Sequence, residues 1–589
     1  MRQALLDEAT PRLVRREAGD DRALRDAGLH PLLARTYAAR GVTDPEQLNL
    51  DLAGLLAPGR LLHVDRAARR LAQALRQKES LLLVGDFDAD GATSCALAMR
   101  ALRAFGGSRV DYLVPNRFDY GYGLSPEIVA LARERSPDLI ITVDNGISSI
   151  EGVAAAVASG IDVLVTDHHL PGEVTPAAGI IVNPNQPDCE FPSKHLAGVG
   201  VIFYVMLALR RHLRNIGWFE QQGLAIPHLG QFLDLVALGT VADVVPLDHN
   251  NRILVHAGLQ RIRSGRACAG IRALLEVAGR SAAGVVASDL GFAVGPRLNA
   301  AGRLDDMSVG IECLLADDES LALDYARQLD QLNRDRRHIE RGMQDEALRL
   351  LAGLQIDRRQ VPAALALYEP GWHQGVVGIL ASRMKERLHR PVVAFADAGE
   401  GELKGSARSI PGVHIRDVLA AIDARHPGLI GKFGGHAMAA GLSLPAAALD
   451  TFAQALAAEV ERVASAEDLE ALVLSDGPLK PAEFDLSLAE ELRLAGPWGQ
   501  QFPEPVFDGC FDVISQRLVG ERHLKLVLRV PGGDRLLDAI AFNIDPAVWP
   551  DPAAQSLSLV YRLDVNEFRG QRSLQLIVEH LEAASANDV

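Results

Sequence analysis

Between residues 80 and 185, apolar runs of strand length alternate with stretches whose apolar residues recur at helical spacing: SLLLVGDFD, ATSCALAMRALRAF, RVDYLVPN, SPEIVALARER, LIITVDNG, SIEGVAAAVASG, DVLVTDHH and GIIVNPN. Strands that read as unbroken Leu, Ile and Val are covered on both sides, so the alternation predicts a parallel sheet with helices on each face. A second alternation spans about 352–462, in VPAALALYEP, GVVGILASRMKERL, PVVAFAD, ELKGSARSI and IRDVLAAIDARH. Between them, residues 321–351 keep apolar positions at helical spacing through Tyr325, Leu329, Leu332, Ile339 and Met343. A single helix there would run roughly 45 Å, enough to join two domains. From about 463 the pattern shortens to alternating segments such as HLKLVLRV, SLSLVYRLDVNEFRG and RSLQLIVEHLE, which predict a small β-barrel. The expected fold class is α/β, with segments 1–45 (helical and charged), 46–318 (parallel-sheet domain), 319–351 (connecting helix), 352–462 (smaller α/β domain) and 463–589 (barrel).

Against this pattern the acidic residues stand out by position. Asp86, Asp88 and Asp90 in DFDADG, Asp144 in TVDNG, and Asp167, His168 and His169 in TDHH each follow the last apolar residue of an expected strand. Ligands of such folds bind outside the carboxyl ends of the strands, so these residues are expected to converge. DLVALGTVADVVPL adds Asp243 after another apolar run, treated as a fourth strand-end cluster. DFDADG also opens like a calcium loop, but the twelfth position from Asp86 is Leu97 where a bidentate glutamate is required. A solvated Asp-Gly turn explains one such cluster, not four. Carboxylates with imidazoles suit manganese or magnesium, and a site without thiolates argues against structural zinc. The number of ligands suggests two ions and an in-line phosphoryl displacement.

Composition narrows the class. In 589 residues, 48% are hydrophobic and 23% charged, and no apolar run approaches the roughly 18 needed to span a bilayer. The mixed, charged start lacks the apolar core of a secretory signal, so the expected location is the cytoplasm. The five cysteines are scattered and never form CxxC; Cys95 and Cys313 read as small buried hydrophobes. A net charge of -16 argues against coating nucleic acid by bulk electrostatics but leaves room for a local basic groove.

DFDADG, VDNG, TDHH and GTVAD, in this order, resemble the four motifs of the DHH phosphoesterase superfamily. VPNRFDYGYGLS, GPRLNAAGRL, GWHQGVVGILASR, GSARS and GGHAMAAGLS narrow the likeness to its single-strand-specific exonucleases, from about residue 30 to the C-terminus. The resemblance implies a DHH domain, a DHH-associated domain and an OB-fold. It also implies two Mn2+ or Mg2+ ions and 5′-to-3′ degradation of single-stranded DNA to mononucleotides, in recombination and repair in the bacterial cytoplasm. By residue, Asp88, Asp90, Asp167, His168 and Asp243 would ligate, and Asp144 would bridge. Asp86 either ligates or orients its neighbours, and His169 either ligates or donates to the scissile phosphate. A monomer is expected, with a single-stranded-DNA-binding protein and a recombination helicase as partners.

Basic residues supply the expected DNA path. Ser406 and Arg408, two apart, project from one side of a strand and suit a terminal 5′-phosphate. Arg117, Arg297, Asn299 and Arg303 are further phosphate candidates, and Gly434, Gly435 and His436 of GGHAMAAG would contact the backbone near the scissile bond. For each arginine a surface ion pair is the plain alternative. His373 either meets the nucleotide or packs structurally with Trp372. Arg334, Arg336, Arg337 and Arg341 on the long helix either face the strand or form a solvated face. A channel lined by such residues would let an acidic protein grip one strand and refuse a duplex. PWGQQFPEP (497–505) stands where the family usually has a Gly-x-Gly-Asn-Pro-type turn. Two rival functions remain: a phosphoesterase for small substrates such as dinucleotides, and a non-catalytic scaffold, which the four complete motifs disfavour.

Overall fold

The computed structural model describes residues 11–116, 120, 123–353, 362–520, 522–530, 533–544, 549–551, 553–568 and 570–584. They form two compact units: Arg15–Asn333 with Ser475–Val589, and Arg334–Leu474 with the described residues before Arg15.

The first unit contains the expected parallel sheet. Strands β1 (Leu81–Gly85), β2 (Val110–Leu113), β3 (Leu139–Val143), β4 (Asp162–Thr166) and β5 (Ile180–Val182) lie in the order β2-β1-β3-β4-β5, with every neighbour parallel. Alternation within each run explains its solid apolar reading. Leu82, Val84, Ile140, Val163 and Val165 pack with Ile128, Val129 and Val153 of two covering helices. Leu81, Leu83, Leu139, Ile141 and Leu164 face the larger core with α1 (Ala89–Ala104), α2 (Gly198–Asn215) and α3 (Leu233–Ala242).

One expectation changes here. DLVALGTVA is the helix α3, and Asp243 caps its carboxyl end rather than a strand. Every residue from Leu233 to Thr240 is buried, so the helix has no polar face, and a short run buried all round cannot be told from a strand by periodicity. Farther along, Ala287–Asp289, a π-turn at Leu290–Val294 and α4 (Gly295–Leu304) follow one another without a break.

The long helix α5 spans Glu319–Gly353, and the second unit carries its later turns. That unit's sheet joins β6 (Leu365–Tyr368), β7 (Val392–Gly399), β8 (Glu402–Arg408), β9 (Lys432–Gly435) and β10 (Ala439–Pro445) in the order β9-β10-β8-β7-β6. Only β6 and β7 are parallel; the other neighbours are antiparallel. Helix α6 (Val377–Leu388) packs on β7 and β8. The C-terminal strands β11 (Phe507–Val519), β12 (His523–Arg529), β13 (Leu536–Ala541), β14 (Ser556–Phe568) and β15 (Gln571–Ala583) close into a barrel, β11-β12-β13-β15-β14. Among the described residues no helix is long and apolar enough to cross a membrane. Cys95 and Cys313 are fully buried, as expected.

The segment before residue 46 includes the short helices Arg22–Asp26 and Pro31–Ala38. Its anchor is Arg40, whose Nη1 and Nη2 donate to Asp476 at 2.7 and 2.9 Å, both side chains only 1% exposed. Arg40 also donates to the Thr36 and Pro503 carbonyls. Beside it the PWGQQF turn forms an aromatic stack: Trp498 lies 5.2 Å from Phe502 and 5.6 Å from Tyr37, and the Arg252 guanidinium sits 4.3 Å from the Phe502 ring. Removing one partner of a buried ion pair strands the other, at a cost of about 3–5 kcal/mol. Arg40→Ala should therefore lower the urea midpoint of unfolding strongly. Arg22→Ala, at the exposed pair with Asp20, should leave it unchanged.

Candidate metal centre

The sheet delivers its acids at one edge. Asp86 follows β1 directly, and its Oδ1 accepts from Phe87 N at 2.7 Å. Asp88 caps α1, with Oδ1 accepting from Asp90 N and Gly91 N, each at 3.0 Å. Asp90, in the first turn of α1, is held from across the site by the amides that open α2, Gly198 N at 2.5 Å and Val199 N at 2.9 Å. Two close approaches demand glycine. A Cβ on Gly198 would sit 2.6 Å from Asp144 Oδ1, and one on Gly239 would sit 2.7 Å from Asp90 Oδ1. Asp144 itself has φ of +63°, a left-handed conformation uncommon outside glycine, at the end of β3.

His168 is the hinge of the constellation. Its buried Nε2 lies 3.1 Å from Asp144 Oδ1 and 3.5 Å from Asp243 Oδ2, yet makes no hydrogen bond. Three groups have ligand atoms within 4.8 Å of one another: Asp144, His168 and His169; Asp90, His168 and Asp243; Asp86, Asp88 and Asp144. Asp144 and His168 each belong to two of them. Asp167 belongs to none, because its oxygens already accept from Ile147 N, His168 N, His169 N and His169 Nδ1, at 2.7 to 3.1 Å. Asn183 and Asn185, in the NPN stretch after β5, donate to the His169 and His168 carbonyls. Sequence reasoning quoted NPN only as the end of a strand pattern; its pairing with TDHH had no signal beyond nearness in the chain.

Charge crowding sets the protonation. Burial, then the charges of Asp243 and Asp88, push Asp90 up to about 7; burial and Asp88 push Asp243 up to about 8. Asp144 is raised well above the ordinary range by burial and the neighbouring acids. Burial would also raise Asp167, but the His169 hydrogen bond and the nearby imidazoles hold it below its usual value. His169 is lifted to about 9 in return, since the Asp167 hydrogen bond and charge outweigh its burial. His168 is lowered by burial and by the charge of His169, which favours the neutral imidazole that a cation could bind. A cation-shaped gap in charge, an imidazole nitrogen without a hydrogen bond and an oxygen-rich donor set fit Mn2+ or Mg2+.

The remaining predicted residues divide by unit. Near the acids, Asn299 Oδ1 accepts from Ala89 N at 2.7 Å and so braces the first motif. Arg297 is buried and committed to Asp330, at 2.9 and 2.8 Å, and to the Ala293 carbonyl. Arg303 is half-buried at the end of α4, and Arg117 lies outside the described residues. In the second unit, Arg408 Nη1 donates to Ser406 Oγ at 2.9 Å. A Cβ on Gly378, in the first turn of α6, would lie 3.0 Å from both Arg408 Nη2 and Ser406 Oγ. Arg408 pairs with Ala439 in the sheet, and His436 N donates to Ala439 O at 2.8 Å, so β10 lies between Arg408 and the Gly434-Gly435-His436 stretch at the end of β9. His373 precedes α6, and burial lowers its pKa; its neighbour Trp372 is buried and donates to Glu346. On α5, Arg336 donates to Glu340, as does Arg383, so this arginine is part of an ion-pair network.

A parallel sheet with aspartates and histidines at its carboxyl edge, followed by a small mixed α/β unit and a barrel, defines a DHH-type phosphoesterase. Accordingly, the DHH family, N-terminal domain, matches residues 80–240, the DHHA1 domain 361–462 and the RecJ OB domain 475–580. The chain belongs to the RecJ family. It is 60% identical over 553 residues to the single-stranded-DNA-specific exonuclease RecJ of Dickeya dadantii, covering 94% of this chain and 96% of that protein. The Escherichia coli exonuclease of the same name is 57% identical, over 96% and 98%. The crystal structure of RecJ from Thermus thermophilus in complex with Mn2+ superposes with a TM-score of 0.79 at 30% identity, covering 98% of this chain and 80% of that one.

The raised carboxyls have a measurable sign. Folded values of about 7 and about 8 for Asp90 and Asp243 lie above the ordinary 3.8, so without a cation the fold binds more protons than the unfolded chain. In chelator, stability should fall as pH rises from about 4 through about 8. Saturating Mn2+ should flatten that slope and release protons at pH 7, read by calorimetry in buffers of different ionisation enthalpy.

Proposed function

We propose that the chain is a two-metal-ion exonuclease that degrades single-stranded DNA from its 5′ end to 5′-mononucleotides, in recombination and repair. The observation that carries this reading is the overlap of the ligand groups at Asp144 and His168, which lets two cations share one buried site. Bound Mn2+ or Mg2+ would supply Lewis acidity at the phosphate and an acidified water. The protein's own residues do the rest. Asp144 stands between the two halves of the ligand set, and Asp88, Asp90 and Asp243 fix its surroundings. His168 offers Nε2 as a neutral donor. His169, held through Nδ1 by Asp167, presents a protonated imidazole to the charge that develops on the phosphate.

In the second unit, Ser406, Arg408 and the first turn of α6 combine a hydroxyl, a guanidinium and helix amides, a set suited to a terminal phosphate. The glycines and His436, one strand away across β10, suit the backbone of the strand that follows that phosphate. A single-stranded-DNA-binding protein and a helicase would supply the strand to a cytoplasmic, monomeric enzyme.

Asp144→Asn should abolish release of mononucleotides from a long 5′-phosphorylated single strand in Mn2+ and weaken Mn2+ binding measured independently. Full activity in that variant would overturn the metal centre, and turnover of dinucleotides alone would favour the small-substrate reading. Arg408→Ala should erase most of the rate advantage of a 5′-phosphate over a 5′-hydroxyl end, about ten- to hundredfold for one lost charge-assisted contact. An unchanged ratio would remove Arg408 from that role.

A further inference from the structure

Two apolar side chains, one next to Asp243 in the chain and one on the turn packed along α3, are left in water. Phe292 is 80% exposed and Val244 is 61% exposed. Val244 directly follows the site acid Asp243 and has φ of +61°, a left-handed backbone that a β-branched residue adopts only when its surroundings impose it. Burial of its side chain does not compensate for that strain. Phe292 sits in the π-turn Leu290–Val294, an irregularity that concentrates at functional sites.

The elements that carry them meet at the end of α3. A Cβ on Gly291 would lie 3.2 Å from Val241 Cγ1, and one on Gly295 would lie 3.1 Å from Ala242 Cβ, so the π-turn runs along the last turn of α3 just before Asp243. The same helical run continues to Asn299, which holds Ala89 N beside Asp88. Two turns therefore separate Phe292 from Asn299, roughly 10 Å along the axis. An exposed ring is thus carried by an element that packs along the end of α3 and reaches the first motif through Asn299.

We infer that Phe292, with Val244 beside Asp243, forms a stacking ledge for a nucleobase of the strand whose phosphates engage the metal centre. The inference rests on the exonuclease reading. The acids and cations can meet only the sugar-phosphate backbone, whereas bases need an apolar, π-bearing surface. A phenylalanine face serves every base alike, as a nuclease without sequence preference requires. The partner that continuity with the catalytic site favours is the substrate, rather than a second copy of the chain.

The test uses the full chain in Mn2+ with two 5′-phosphorylated single strands, one ordinary and one abasic over its first several nucleotides. On the ordinary strand Phe292→Ala should raise KM about tenfold, as expected for one lost base stack, and leave kcat within about twofold. On the abasic strand Phe292→Ala and the unmodified chain should behave alike, and Phe292→Tyr should match the unmodified chain on both. An unchanged KM, or an equal loss on both strands, overturns the ledge. So does a loss of self-association in Phe292→Ala with unaltered kinetics, which would assign the ring to contact between copies. An unmodified chain that leaves the ordinary strand intact overturns the exonuclease reading itself, and the ledge with it.

Discussion

Mutual repulsion among Asp86, Asp88, Asp90, Asp144 and Asp243 is the constraint around which the first unit is built. Nothing in an apolar interior dilutes such charges, and without cations Asp90, Asp144 and Asp243 are pushed towards holding protons instead. The fold counters the repulsion with fixed dipoles. The amino ends of α1 and α2 aim backbone amides at Asp88 and Asp90, where the positive end of each helix meets a carboxylate. Gly198 at the start of α2 and Gly239 in α3 leave the room for these helices to pack closely around the acids. Asp167 is the exception that clarifies the rule. With four hydrogen bonds and two imidazoles it is already compensated, and it orients His169 rather than adding to the crowd.

Much of this was legible in the chain because strand ends are marked by an abrupt change from apolar to charged residues. DFDADG, VDNG and TDHH announce both the sheet and the edge where ligands gather. Asp243 reads in the sequence as a strand end and stands instead at a helix end, since a helix buried on all sides loses the periodicity that identifies it. What sequence could not supply are the contacts made by backbone. The amides of Gly198 and Val199 carry no side-chain signature, and the roles of Asn183 and Asn185 depend on β5 lying beside β4. Arginines were the least legible. Arg297 and Arg408 look equivalent in sequence, yet Arg297 is committed to Asp330, while Arg408 contacts a serine hydroxyl beside a helix amino end.

The PWGQQFPEP stretch is held by aromatic packing. Trp498 and Phe502 stack with Tyr37, and Arg40 and Arg252 lie against the rings. The N-terminal segment thereby acquires a purpose: it completes the packing beneath the start of the barrel, through Arg40 on Asp476 and Arg15 on Asp508.

That same turn reaches the chemistry. Gln500 O accepts from Leu247 N at 2.9 Å, and a Cβ on Gly499 would strike Leu247 Cδ1 at 2.7 Å. Leu247 ends the short loop that begins at Asp243. The loop is held at its start by α3 and at its end by the PWGQQF turn, and Val244 takes up the difference as a strained left-handed residue. A strained residue persists only where both flanks are fixed. The loop that leaves Asp243 is therefore tied at its start to α3 and at its end to a turn some 250 residues later in the chain.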